Sequence, residues 1–277
     1  MGYKSILTVI TNDRQKDQLD AAIDVAKRED AHLEVFCLGI DHTQSGYYYA
    51  SGGAYVMQEA IDAAIASATK LEASIREVMS RQPLRWSLDS AVAQFGGVSS
   101  LIGARARYAD LVVLGRPYDA EMNSDGEAIT EAALFEGSAP VLIVPGQLSD
   151  PFGQRILLAW NQSAESLVAV RRALPFLQRA ESVEITVIDP SPNSPERADP
   201  GGPLCQMLTR HGVKAEIAVL AKTMPKVSEI ISRRATEIGA DMIVMGAYGH
   251  SRFRQAILGG ATRNMLQDAT IPVFMAR

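Results

Sequence analysis

ADLVVLGRP at residues 109–117 and ADMIVMGAY at residues 240–248 are two versions of one phrase, 131 residues apart. Each opens on Ala-Asp, runs through four apolar residues and closes on a glycine, Gly115 or Gly246. Outward from this pair the match continues. APVLIVP at 139–145 lies over IPVFMAR at 271–277 at an offset of 132. Upstream, KSILTVITND at 4–13 lies over QRILLAWNQS at 154–163, and HLEVFCLGI at 32–40 over SVEITVIDP at 182–190, both at an offset of 150. Four matches in one order mark a duplication, read here as domains 1–148 and 149–277, with a Pro-, Gly- and Asp-containing connection at 145–151. The fall in offset gives the first copy about 18 extra residues, largely around TQSGYYYASGGAYVM at 43–57.

The matched runs (LVVL, MIVM, VLIV) are nearly continuous in apolar residues, the pattern of strands covered on both faces. Helical spacing lies between them. In the second copy Leu167, Val170, Leu174 and Leu177 form one apolar face, with Ser163 as N-cap and Pro175 a candidate kink. Val227, Ile230, Ile231 and Ile238 form another, with Pro225 placed in the first turn. Strands alternating with helices predict βαβ units and a parallel sheet. The fold class is therefore α/β, with two tandem open parallel sheets of about five strands each, flanked by helices. In such sheets ligands sit beyond the carboxyl ends of the strands.

Composition narrows the function. The chain has 277 residues, 47% apolar and 21% charged, with a net charge of −5. That charge argues against a nucleic-acid partner. Cys37 and Cys205 are far apart, in no CxxC pair, and fit a reducing, cytoplasmic setting. The start MGYKSILTVI reads directly as a first strand, without a leader, and no apolar run is long enough to span a membrane. His32, His42, His211 and His250 make no zinc pattern, and no GxSxG elbow or GKS/GKT loop is present. No catalytic residue and no metal ligand set is expected, and any ATP hydrolysis would be slow for want of a general base.

The chemistry is expected after strand MIVM, in GAYGHSRFRQAILGGATR at 246–263. Gly246 and Gly249 suit positive φ and a close approach of backbone to a ligand, and Gly259 and Gly260 open the last helix, whose free N–H groups favour an anion. Thr262 offers a hydroxyl, and Arg252, Arg254 and Arg263 offer charge. On spacing alone, a plain turn and helix start is an equal reading.

The stretch at 245–263 resembles the Gly-x2-Gly-x9-Gly-Ser/Thr loop of the universal stress protein family, and the whole chain resembles its tandem members. The resemblance implies that family's adenine nucleotide alpha hydrolase-like fold, a role in stress response, and ATP or AMP at this loop, with Mg2+ able to accompany it. By position it implies a site of Gly246, Gly249, His250, Ser251, Arg252, Gly259, Gly260, Ala261 and Thr262, with Met245 flanking the ribose, Val187 touching the base and Asn161 near the adenine. Gly260 stands where the family has Ser/Thr, and Asn161 where nucleotide binders often have Asp. In the first copy Tyr118 replaces the second glycine and Glu127–Ala128 the last pair. Asp119, Glu121, Asp125, Glu127 and Glu131 would repel a triphosphate, so no ATP is expected there. The Tyr-rich insertion, with Tyr47, Tyr48, Tyr49, Gly52 and Gly53, reads as a loop packed on its neighbour, or as a flap over a first-domain pocket for an apolar small molecule or lipid. The resemblance further implies that terminal strands 141–144 and 273–275 pair antiparallel in an intramolecular pseudo-dimer. A homodimer of whole chains is left open.

Overall fold

Strand β1 (Ser5–Ile10) begins on a device that the chain uses twice. The Asp110 carboxylate, from the first Ala-Asp phrase, accepts the backbone N–H groups of Lys4 at 2.8 Å and Ser5 at 3.0 Å, while the Asp110 N–H donates to the Ser5 carbonyl at 2.8 Å. Asp241 does the same in the second copy. It accepts from Gln154 N at 2.9 Å and Arg155 N at 3.1 Å, and its N–H donates to Arg155 O at 2.9 Å. A carboxylate suits donors that a strand start leaves unpaired. The aspartate of each phrase thus locks the first strand of its copy beside the fourth.

The structure, a computed structural model, describes residues 2–42, 53–118, 123–190, 198–247 and 260–277. The chain divides into two compact units, Gly2–Ala139 and Pro140–Arg277. In the first, β1, α1 (Lys16–Glu29), β2 (His32–Asp41), α2 (Gly53–Ser80), β3 (Trp86–Gln94), α3 (Val98–Ala106), β4 (Leu111–Gly115) and α4 (Asn123–Glu131) follow in turn. Its strands are parallel in the order β3-β2-β1-β4. The second unit holds β5 (Val141–Val144), β6 (Arg155–Trp160), α5 (Ala164–Leu177), β7 (Ser182–Ile188), α6 (Gly202–Arg210), β8 (Ala215–Leu220), α7 (Val227–Glu237), β9 (Met242–Gly246), α8 (Ala261–Asp268) and β10 (Val273–Ala276). Its order is β5-β10-β9-β6-β7-β8, parallel throughout except for β5. β5 follows the first copy in sequence, yet it pairs antiparallel with β10, Ile143 opposite Val273 and Val141 opposite Met275.

The pairing registers assign the faces of the second sheet. Ile185, Leu158, Val244 and Phe274 are cross-strand partners and share one face. Phe176 of α5 meets Phe274 edge-on at 6.1 Å, and Gly201, at the start of α6, lies against Ile185 and Val187, so α5 and α6 cover that face. The other face carries Glu184, which Arg234 of α7 grips through two hydrogen bonds of 2.9 and 2.6 Å. The inner strands are buried on both sides, as their apolar runs predict.

Ser163 caps α5 as its type predicts, its hydroxyl accepting from Ser166 N at 3.1 Å. Pro175 lies in the last turn, and α5 runs through it to Leu177. Pro225 falls before the Lys226 N-cap of α7 rather than inside its first turn, and the buried face of α7 centres on Ile230 and Ile231. The extra residues of the first copy go largely into helix. α2 has 28 residues against nine in α6, and Gly53–Met57 of the insertion begin it, while 43–52 lie outside the described residues.

Glu184 is buried, and burial alone would raise its carboxyl, but the hydrogen bonds from Arg234 and Thr186 outweigh it and hold the group below its ordinary value. A depressed carboxyl contributes stability that is complete above its unfolded value and fades as pH falls through its folded value. In Arg234→Met the partner is gone, burial raises the carboxyl, and the sign reverses. Urea midpoints of the two proteins between about pH 3 and pH 7 check this. The variant should lose ground as pH rises, by about 1–3 kcal/mol in all for an orphaned buried acceptor, and parallel curves would refute the assignment.

Candidate functional site

In the second unit the chain leaves β6 toward β7 on one side, and β9 returns on the other. β6 pairs with both, Trp160 with Val187 and Ala159 with Met245. The carboxyl ends of β6 and β9 therefore flank a topological switch point, where connections diverge and leave a crevice. Asn161 is the first residue beyond β6, exposed, and its Oδ1 accepts from Ser163 N at 3.2 Å. Gly246 ends β9 opposite Ala276 of β10. Gly260 is the N-cap of α8 at φ −66° and ψ 157°, and as a glycine it has no side chain of its own to cap the helix. Sequence-predicted Asn161, Met245, Gly246, Gly260 and Ala261 are thus gathered at strand ends and a helix start around one switch point. Gly249, His250, Ser251, Arg252 and Gly259 lie outside the described residues, as does Arg254.

Three expectations change on inspection. Gly246 has no positive φ, and what requires glycine there is the backbone of α5. An added Cβ would lie 2.5 Å from Ser166 N and 2.8 Å from the Glu165 carbonyl carbon. Thr262 is buried rather than exposed at the helix start. The Val187 side chain is buried on the α5–α6 face beside Gly201 rather than presented at the sheet edge.

The first unit has the same switch point between β1 and β4, and its own side chains occupy it. Gln18 of α1 is buried. Its Nε2 donates to Thr8 Oγ1 at 3.0 Å and to Val9 O at 2.7 Å, and its Oε1 accepts from Gly115 N at 2.8 Å. Gln15 Nε2 donates to the same Oε1 at 2.9 Å, while Gln15 Oε1 accepts from Thr11 N at 2.6 Å and Asn12 N at 3.1 Å. These glutamines tie down the backbone groups that a ligand would address. No motif signals them, because their role depends on which way the first turn of α1 faces.

The acidic segment of the first copy is also partnered. Asp125 pairs with His42 at 3.2 Å, and the His42 ring lies on Phe95 at 5.6 Å between centroids. Glu127 accepts from the Tyr118 hydroxyl at 2.8 Å, and Asp119 and Glu121 lie outside the described residues. Among the described residues no group of three or more His, Cys, Asp or Glu could hold a metal, and no helix is long and apolar enough to cross a membrane. Burial pushes the Cys37 thiol up to about 12, with the Glu72 charge adding to it, which keeps that sulfur unreactive. Trp160, the last residue of β6, is buried with its indole N–H unpartnered among the described residues, a feature that no sequence pattern announces.

The close approach at Gly246 predicts an asymmetry between the two matched glycines. At Gly115 an added Cβ meets only the end of the Gln18 side chain, at 3.1 Å. Gly246→Ala must move the start of α5 and should cost about 1–3 kcal/mol by overpacking, and Gly115→Ala clearly less. Urea denaturation of both variants measures the difference, and equal costs would remove the close-packing account.

Residues 153–277 match the model of the universal stress protein family. A universal stress protein of the cyanobacterium Synechocystis is 25% identical over 175 residues, which is 61% of this chain and 58% of that protein, so the match spans less than two thirds of that relative's length. Among solved structures, a universal stress protein from Archaeoglobus fulgidus superposes with a TM-score of 0.73 at 14% identity, over 98% of this chain and 96% of that one. A protein of unknown function from Pseudomonas aeruginosa superposes with a TM-score of 0.60 at 14% identity, over 99% and 92%. At such identities the superpositions establish a shared α/β fold with a mostly parallel sheet. Residues 153–277, within the second unit, carry a domain of the universal stress protein family.

Proposed function

We propose that this protein is a stress-response regulatory module that binds a nucleotide, ATP or AMP as the family resemblance implies, at the switch point of its second unit alone. The support is the glycine N-cap of α8, Gly260, on the side of the crevice where β9 ends. The N–H groups of a helix start, with the dipole behind them, suit a phosphate. Gly249, His250, Ser251, Arg252 and Gly259 would complete the anion end. Mg2+ would accompany a triphosphate through the phosphate itself, since no group of three or more His, Cys, Asp or Glu among the described residues could hold it. We read the module as a sensor, or at most a slow ATPase.

In the first unit, the Gln15–Gln18 network speaks against a ligand of either kind, nucleotide or apolar, at the corresponding crevice. Calorimetric titration with ATP or AMP should give one site per chain, and Gly249→Val should abolish binding without lowering the melting temperature, because a β-branched side chain there blocks close approach. Two equivalent sites, or an unaffected Gly249→Val, would overturn the reading.

We also infer that the domains of the duplication, 1–148 and 149–277, form a pseudo-dimer within one chain. The support is β5, which ends the first copy in sequence and pairs with β10, the last strand of the second. Proline at Ile143 or at Phe274 removes a ladder donor. Hydrogen exchange should then show each substitution loosening both copies, and loss of protection confined to one copy would count against it.

A further inference from the structure

β8 is the last strand of the second unit's sheet and pairs with β7 alone, so among the described residues the backbone groups of its other side have no strand partner. Such an edge can pair with another chain, and folds ordinarily cover it or blunt it with charge. β3, the matching edge of the first unit, follows that rule. The 28-residue α2 packs over β2 and β3, and the residues that β3 leaves exposed are Ser87, Asp89 and Gln94. β8 does not follow it. The helix packed against it, α6, has nine residues, and Ile217 and Val219 remain 36% and 52% exposed. They lie two residues apart and so share a face, the one on which Ile217 meets Gly201 at the start of α6. Glu216 lies on the opposite face.

Two identical edges pair antiparallel about a twofold axis perpendicular to the sheet, and residues set directly opposite each other then share a face. Charge selects the register. With the axis at Ala218, Lys214 faces Lys222 of the second copy, which is repulsive. With the axis at Ile217, Glu216 faces Ala218, and with the axis at Leu220, Lys222 faces Ala218, so a charge meets an apolar residue in both. With the axis at Val219, Glu216 faces Lys222 of the second copy, and symmetry repeats the pair. Both residues are exposed, and Lys222 lies two residues past the end of β8, where its long stem can reach across. On the other face this same register sets Val219 against Val219 and Ile217 against the exposed Ala221, which covers the apolar residues that α6 leaves bare. We propose that the β8 edge is a self-association surface, to which a second copy of this chain adds its own β8 antiparallel about Val219, fixed in register by two Glu216–Lys222 pairs.

Sedimentation velocity of the full chain over a range of concentrations reads the association, with circular dichroism as the check that each variant is folded. The parent should form a dimer. Val219→Lys sets two ammonium groups on the twofold axis and should leave monomer throughout. Lys222→Glu and Glu216→Lys each set like charges opposite one another, and each should weaken association by about tenfold or more. Combining the two exchanges the charges and should restore it. The combined variant has the net charge of the parent, and all these positions are exposed, so rescue there reads the cross-strand pair rather than overall charge or folding. A parent that stays monomeric leaves the edge to another chain's strand or to none, and overturns the proposal. A dimer untouched by Val219→Lys also overturns it, because the contact then lies elsewhere. Single charge variants that associate like the parent, or a combined variant no stronger than the single ones, overturn it as well.

Discussion

Strand β6 is held between two parallel neighbours, β7 and β9, and is covered on one face by α5 and α6 and on the other by α7. Buried Ile156, Leu157 and Leu158 satisfy both faces at once, which is why the strand shows no alternation of apolar and polar residues. Its two neighbours are reached by connections running in opposite directions, which makes the ground beyond its carboxyl end a topological switch point. Crevice, strand composition and helix placement all follow from this one position in the sheet. The Asp241 carboxylate, bonded to the first backbone amides of the strand, keeps β6 and β9 in the register that brings Asn161 and Gly246 to the same edge.

The two copies apply this plan to different ends. In the second, the start of α5 approaches Gly246 so closely that the glycine has no room for a side chain, and the small Ser166 faces it. In the first, the matching glycine meets Gln18, whose amide reaches across from α1 to β1 and β4 and bonds to both. Among the described residues, side chains of the chain itself fill the first crevice and none is seen to fill the second. The closure needs no change of fold, only long polar residues on the first turn of a helix where the other copy has short ones.

Charge is also placed in parallel between the copies. Glu34 of β2 meets Arg105 of α3 at 2.7 Å, and Glu184 of β7 meets Arg234 of α7. Each pair joins the second strand of its copy to the helix that precedes the fourth. Arg105 also bonds Asp89 of β3 and lies 3.9 Å from the centre of the Phe36 ring, so its charge is shared between carboxylates and an aromatic face. The carboxyl of Asp89 is held low by that hydrogen bond. These pairs lie between strand and helix, away from the crevice, and their part is to fix how the helices sit on the sheet.

The sequence by itself determined the duplication, the parallel α/β class, the N-cap at Ser163 and the gathering of Asn161, Met245, Gly246 and Gly260 at strand ends and a helix start. All of these depend on local pattern, namely apolar runs, helical spacing and glycines at chain reversals. Only the tertiary structure decided the partner of β5, since an apolar four-residue strand says nothing of which edge it will join. It likewise decided that the extra residues of the first copy lengthen α2, that Gly246 is required by the α5 backbone rather than by its own φ, and that Gln15 and Gln18 fill the first crevice. Each of these depends on what lies across a gap from a residue, and a one-dimensional pattern carries no information about distances across gaps.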